Sequence, residues 1–279
     1  MAKTVLVVAN ETLGGAPLLE RIQEKAAEEP DLRIVVCVPR TNPRQGNIIY
    51  DEAVFDAAQV RIDLARKILR EEGIENAIGE VGDPDPYTAT MDAIAEHEPD
   101  EIVISTYPAA SSGWLRRDLI ERISEATRVP VEHVVVDLDQ EGLPFGVTLA
   151  VANRTLASPP FLEALKARAT ELERHVFIFV VPQEGGHGIA ARQARARLTQ
   201  MIDRARAAGL ICAGMIADPD PYNAVMNAVQ FFRVDDIVIS TLPATRSGWL
   251  RADLIERVRR ATNKPVEHVE ATDTAEAAA

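Results

Sequence analysis

The chain has 279 residues, 47% hydrophobic and 26% charged, in the range of ordinary globular proteins and long enough for two domains that each bury a core. Its net charge of −13 repels phosphate backbones and anionic lipid, so neither nucleic acid nor a membrane surface is an expected partner. Apolar runs such as 5–9 and 176–181 are strand length, and no charged and apolar leader opens the chain, which makes the cytoplasm the expected location.

In chain order, Thr4 to Ala9 is a β-branched run. Ala16 to Glu28 has helical spacing through Leu19, Ile22 and Ala26, and Arg33 to Val38 is again a strand. After a loop rich in Pro, Asn, Arg and Gly, a helix is expected over 51–72, with Val54, Ala58, Ile62, Ala65 and Leu69 on one face. A strand at 77–81, a helix at 86–97, a strand at 101–106, a helix from Trp114 to Thr127 and a strand from Val131 to Asp137 follow.

The second half repeats this order. Residues 83–133 and 218–268 agree at 32 of 51 positions without a gap, at a constant offset of 135. Residues 3–39 and 146–182 agree at 13 of 37, at an offset of 143. A period this long fits a whole duplicated domain. The expectation is an α/β protein with two tandem doubly wound parallel five-stranded sheets: 1–138, a linker at 139–145, 146–270, and a disordered tail at 271–279. Cys37 and Cys212 fall at non-equivalent positions and read as buried filler, so sulfur suggests no metal site.

In such sheets ligands bind outside the carboxyl ends of the strands, where the strand order reverses. That directs attention to Asn10, Glu11 and Thr12 after the first strand, to 105–113 after the fourth, and to Asn153, Arg154, Thr155 and 240–248 in the second copy.

The string Gly82-Asp83-Pro84, a helix, the strand Glu101-Ile102-Val103-Ile104-Ser105, a helix ending Ile120-Glu121-Arg122-Ile123, and Pro130-Val131 before the last strand resembles the universal stress protein family. The resemblance spans nearly all of each copy. It implies the strand order 3-2-1-4-5, a regulatory or ligand-sensing role in stress, and binding of ATP, ADP, AMP or cyclic AMP. It also implies association of two domains through their last strands, here an intrachain pseudo-dimer, with a homodimer as a further step.

The family's nucleotide motif is altered here. Ser105 and Ser240 replace its first Gly, Pro108 and Pro243 lie near its second, Asp118 and Asp253 near its last pair, and Asn10 and Asn153 replace an Asp. Proline removes a donor amide and aspartate adds charge beside a phosphate; both count against ATP held in the family's manner.

In place of that motif stands Ser-Gly-Trp-Leu-Arg, at 112–116 and 247–251. Ser112 can cap a helix, the Arg offers a fork for an anion, and the Trp a face for a flat ligand. The plainer reading is an N-cap, an indole sealing the sheet edge and an arginine paired with a nearby acid. Candidate ligand contacts in the first copy are Asn10, Thr12, Val38, Asp83, Ser105, Thr106, Ser111, Ser112, Gly113, Trp114 and Arg116. In the second they are Asn153, Thr155, Val181, Asp218, Ser240, Thr241, Ser247, Gly248, Trp249 and Arg251.

Other features have structural readings. Asp85-Pro86 suits a helix cap and first turn. His133 and His268 suit a strand interface, Gly185-Gly186-His187-Gly188 a flexible turn, and the arginines at 192, 195, 197, 204 and 206 a solvated face. No base, nucleophile and metal cluster repeats, so an enzyme is not expected, slow ATP hydrolysis being the activity that would revive that class. The alternative to ligand sensing is a scaffold docking a protein partner through the Trp loop.

Overall fold

A computed structural model describes residues 2–40, 51–109, 111–115, 118–183, 189–243 and 247–271, without the side chains of residues 51, 189, 190 and 251. The loop at 41–50, the Gly185–Gly188 turn, Arg116 and the tail from 272 lie outside the described residues.

The first copy runs β1 (Thr4–Val8), α1 (Ala16–Glu28), β2 (Arg33–Pro39), α2 (Asp51–Glu71), β3 (Ala77–Gly82), α3 (Pro86–His97), β4 (Glu101–Thr106), α4 (Leu119–Ala126) and β5 (Val131–Val135). After α5 (Leu138–Glu141), the second runs β6 (Gly146–Val151), α6 (Pro159–Ala169), β7 (His175–Pro182), α7 (Ile189–Ala207), β8 (Ile211–Ala217), α8 (Pro221–Phe231) and β9 (Asp236–Thr241). It closes with α9 (Gly248–Arg251), α10 (Leu254–Thr262) and β10 (Val266–Glu270). Two all-parallel sheets result, ordered β3-β2-β1-β4-β5 and β10-β9-β6-β7-β8. This is the expected fold class. β1, β6 and β7 are buried along their whole length because helices cover both faces of each sheet.

The chain divides into two compact units. Among the described residues, one holds those up to 40 together with those at 61–144; the other holds 51–60 and those from Phe145 on.

Two expectations need correction. The helix expected from Trp114 begins at Leu119, and its counterpart is broken into α9 and α10, because Asp118 (φ 50°) and Asp253 (φ 53°) take left-handed backbone that interrupts the helix. The strand expected to reach Asp137 stops at Val135, since the Asp137 carboxylate accepts from the amides of Asp139 and Gln140 and starts α5, which runs on into the expected linker. β5 and β10 each end a sheet, hydrogen-bonded within their own sheets to β4 and β9.

A glycine on the third strand of each copy lets the preceding helix close on the sheet. A Cβ at Gly79 would meet Ile62 Cγ2 at 2.3 Å, and one at Gly214 would meet Leu198 Cδ1 at 2.7 Å.

Candidate functional site

β1 and β6 are the strands from which connections leave in both directions, so the crevice opens beyond their carboxyl ends, beside those of β4 and β9. In both copies a threonine ties the two loops together. Thr12 Oγ1 donates to Ser105 O at 3.3 Å, and Thr155 Oγ1 donates to Ser240 O at 3.0 Å.

The serine side chains beneath those carbonyls are different. Ser105 Oγ and Ser240 Oγ are buried without a hydrogen-bond partner among the described residues. A buried hydroxyl left unpaired costs about 1–3 kcal/mol.

In the second copy a cavity of 230 Å³ lies here, lined by Asn153, Arg154, Thr155, Ser240, Thr241, Leu242, Ser247, Gly248 and Trp249. Seven of those nine are expected contacts. Asn153 is held by a residue that sequence reading assigned to a solvated face: Arg197, on α7, donates from Nη2 to Asn153 Oδ1 at 2.8 Å. Arg197 Nε is buried and has no acceptor among the described residues. Ser247 Oγ accepts from Leu250 N at 3.2 Å, as an N-cap should, but the helix it caps is four residues long.

The first copy arranges the same loop differently. Asn10 Nδ2 donates to Pro39 O at 2.9 Å, Ser111 Oγ to Pro108 O at 3.2 Å, and Ser112 Oγ accepts from Leu115 N at 3.2 Å. Tyr107 donates its hydroxyl proton to the carboxylate of exposed Glu11 at 3.1 Å. Near that pair lies half-buried Arg61; burial lowers its pKa while Glu11 and Tyr107 oppose the shift. Trp114 packs against the core cluster that contains Leu6, Ile104, Leu119 and Ile123. The plain sealing role expected for an indole is thus seen at Trp114, whereas Trp249 lines open space.

The remaining candidates have local roles. Val38 and Val181 are fully buried, with no surface to present to a ligand. Asp83 and Asp218 each accept from the amide two residues on, that of Asp85 and Asp220, at 2.8 Å, and Asp85 and Asp220 cap α3 and α8. Thr106 Oγ1 donates to Tyr107 O at 2.8 Å, so the 2.9 Å contact with His133 Nε2 is a ring N–H donating to the hydroxyl. Thr241, Leu242 and His268 repeat this at 2.8 Å and 2.8 Å. Partial burial lowers both histidine pKa values. Gly113 leaves open space where a Cβ would stand. Helix α9 ends at Arg251, whose side chain, like all of Arg116, is outside the described residues.

A larger hollow of 460 Å³ lies at the opposite end of the first sheet, between the segments preceding β2 and β3. Its lining includes Leu32, Ile74, Glu72 and Glu75, and it is remote from the crevice.

No family model and no curated protein matches the chain. Among solved structures it is similar to a universal stress protein from Archaeoglobus fulgidus DSM 4304, at 17% identity and a TM-score of 0.34, covering 97% of each chain. A second, from Archaeoglobus fulgidus, is 22% identical with a TM-score of 0.35, covering 48% of this chain and 93% of that one. A universal stress protein solved in complex with cAMP is 14% identical with a TM-score of 0.34, covering 47% and 96%.

Proposed function

We propose that the second copy senses a small anionic ligand in the cavity between Asn153 and Trp249, and that it does so without turnover. The observation that carries this is the union of a 230 Å³ space with an unpartnered Ser240 hydroxyl in its wall and two arginines beside it. Arg154 lines the space directly, and Arg197 stands behind Asn153 with an Nε–H that has no acceptor among the described residues. Arginine presents a planar fork suited to phosphate or carboxylate. The volume is below the ~300–1,000 Å³ of pockets that engulf drug-sized ligands, so a nucleotide would be enclosed in part, its base against Trp249. An adenine nucleotide is the ligand class that the sequence resemblance implies. The first copy is the weaker binder, with Glu11 in the place of Arg154 and Trp114 packed on its core.

The absence of turnover is supported by how the crevice histidines are used. His133 and His268 each donate to a threonine whose own proton is already committed, which leaves them poorly placed to exchange protons with a substrate.

Calorimetry and thermal unfolding with ATP, ADP, AMP and cyclic AMP test the reading. At a ligand concentration 100 times Kd the unfolding free energy should rise by about 2.7 kcal/mol. Trp249→Ala should weaken binding by about 1–3 kcal/mol, the scale of base stacking on an aromatic ring, while Trp114→Ala leaves it unchanged. No stabilisation by any of the four, with no nucleotide released on denaturation, would overturn it and leave partner docking through the Trp loop as the surviving alternative.

A further inference from the structure

A second polar cluster lies away from the crevice, on edge strand β3 and the last turn of α3. The carboxylates of Glu80 and Glu96 and the ring of His97 place one ligating atom each within 4.8 Å of one another. His97 Nε2 is 2.9 Å from Glu80 Oε2, and its side chain is 9% exposed. Among the described residues neither glutamate forms an ion pair with a lysine or arginine, so two carboxylates share one histidine on a chain that already carries a net charge of −13.

The duplication supplies an internal control. At the same positions the second copy carries Met215 for Glu80, Phe231 for Glu96 and Phe232 for His97, with the two phenylalanine rings 6.2 Å apart. Asn227 and Val180 stand for Asp92 and Cys37. Hydrocarbon therefore satisfies this corner of the fold, and the polar set of the first copy is not required for folding. Gathering two acids at the carboxyl end of α3 is electrostatically unfavourable, because that end already carries partial negative charge. A cation reverses the sign of each of these terms.

We infer that Glu80, Glu96 and His97 form a binding site for a divalent transition cation of the zinc class. One imidazole nitrogen and two carboxylates are zinc-type donors, their two charges neutralise the ion, and three protein ligands leave a position for water. With bonds of about 2.0–2.2 Å, tetrahedral ligand atoms stand about 3.3 Å apart, so the His97–Glu80 contact opens by a few tenths of an ångström while Glu96 swings in. Cys37, paired in register with Glu80, is fully buried and donates its thiol proton to Ala89 O at 3.7 Å, so it stands outside the ligand set.

The test uses tag-free, chelator-treated full-length protein titrated with zinc chloride by calorimetry. Saturable binding of one zinc per chain is expected. It should be lost in Glu80→Met and His97→Phe, which install the second copy's own residues. Among the ring signals of the five histidines, that of His97 should move on addition of zinc to the unsubstituted protein, a readout independent of how the variants fold. Absence of saturable binding, binding that survives both ligand substitutions, or a His97 signal that does not respond would each overturn the assignment.

Discussion

Replacing Lys25 by methionine should lower the unfolding free energy by about 3 kcal/mol at pH 7, the low end for removing one partner of a buried ion pair. Lys25 is 5% exposed on α1, where Nζ contacts Glu101 Oε1 and lies 2.8 Å from Glu132 Oε2. Lys3 also reaches Glu101 at 3.1 Å, and Arg21 reaches Glu132 at 2.5 Å. Methionine keeps most of the length but leaves two largely buried carboxylates short of a counter-charge. Burial alone would raise both carboxyl pKa values; hydrogen bonds from Lys25 with Lys3, and from Arg21 with Lys25, overcome it and hold Glu101 and Glu132 low. The sign of the pH dependence follows. Their stabilisation is complete above the unfolded value of about 4.3 and is lost as pH falls through the lower folded values. Burial would likewise lower Lys25, and the two glutamates overcome it, so its own contribution is lost only as pH rises through a folded value above the usual lysine range. Urea unfolding of both proteins at pH 7 and across pH 5 to 2 checks this. The gap between them should narrow with acid, and a gap that stays constant would remove the network as its cause.

The same network shows what could be read from sequence and what could not. The second copy rebuilds it with Arg168, whose Nη2 lies 2.7 Å from Glu267 and whose Nε lies 3.3 Å from Asp236. All three positions follow from the repeat offsets. Their convergence does not, because it needs α1 laid over β4 and β5, and strand order is not local information. The strands themselves were legible, since a segment covered on both faces must be apolar throughout, as in β1 and β6.

Boundaries were missed where a side chain redirects the backbone. Ser247 caps the short α9, and Ser112 accepts the equivalent bond in a turn ahead of α4, each from the residue three positions on. The error was to let the helix run on. An aspartate before Leu-Ile-Glu-Arg was the available signal that a new helix begins there. In the site, Asn153, Ser240 and Trp249 were visible as residues following particular strands. Arg197 was not, because its place among five arginines of one helix is that of a surface residue. Only the closure of α7 on Gly214 brings it to Asn153.

Phe179→Ala should cost about 3–5 kcal/mol, the range for emptying a buried aromatic site. Phe179 is fully buried on β7, edge-on to Phe161 of α6, with ring centroids 6.4 Å apart and planes at 61°. Gly214 of β8 lies against it, so closely that an added Cβ would stand 2.8 Å from Phe179 Cβ. The backbone of β8 is pinned by pairing to β7, and Leu198 closes the other side, so the cavity has little room to collapse. The first copy solves this corner with smaller residues, Leu18 for Phe161 and Val36 for Phe179. Phe179→Val alone should therefore fail to reproduce that solution, since Phe161 would keep an edge with no ring to meet. Phe161→Leu combined with Phe179→Val should cost less than the sum of the two single changes, because the aromatic pair contributes about 0.5–1.5 kcal/mol beyond its area and is lost only once. A double-mutant cycle by urea unfolding measures that coupling, and strict additivity would show the two rings to be independent fillers of the core.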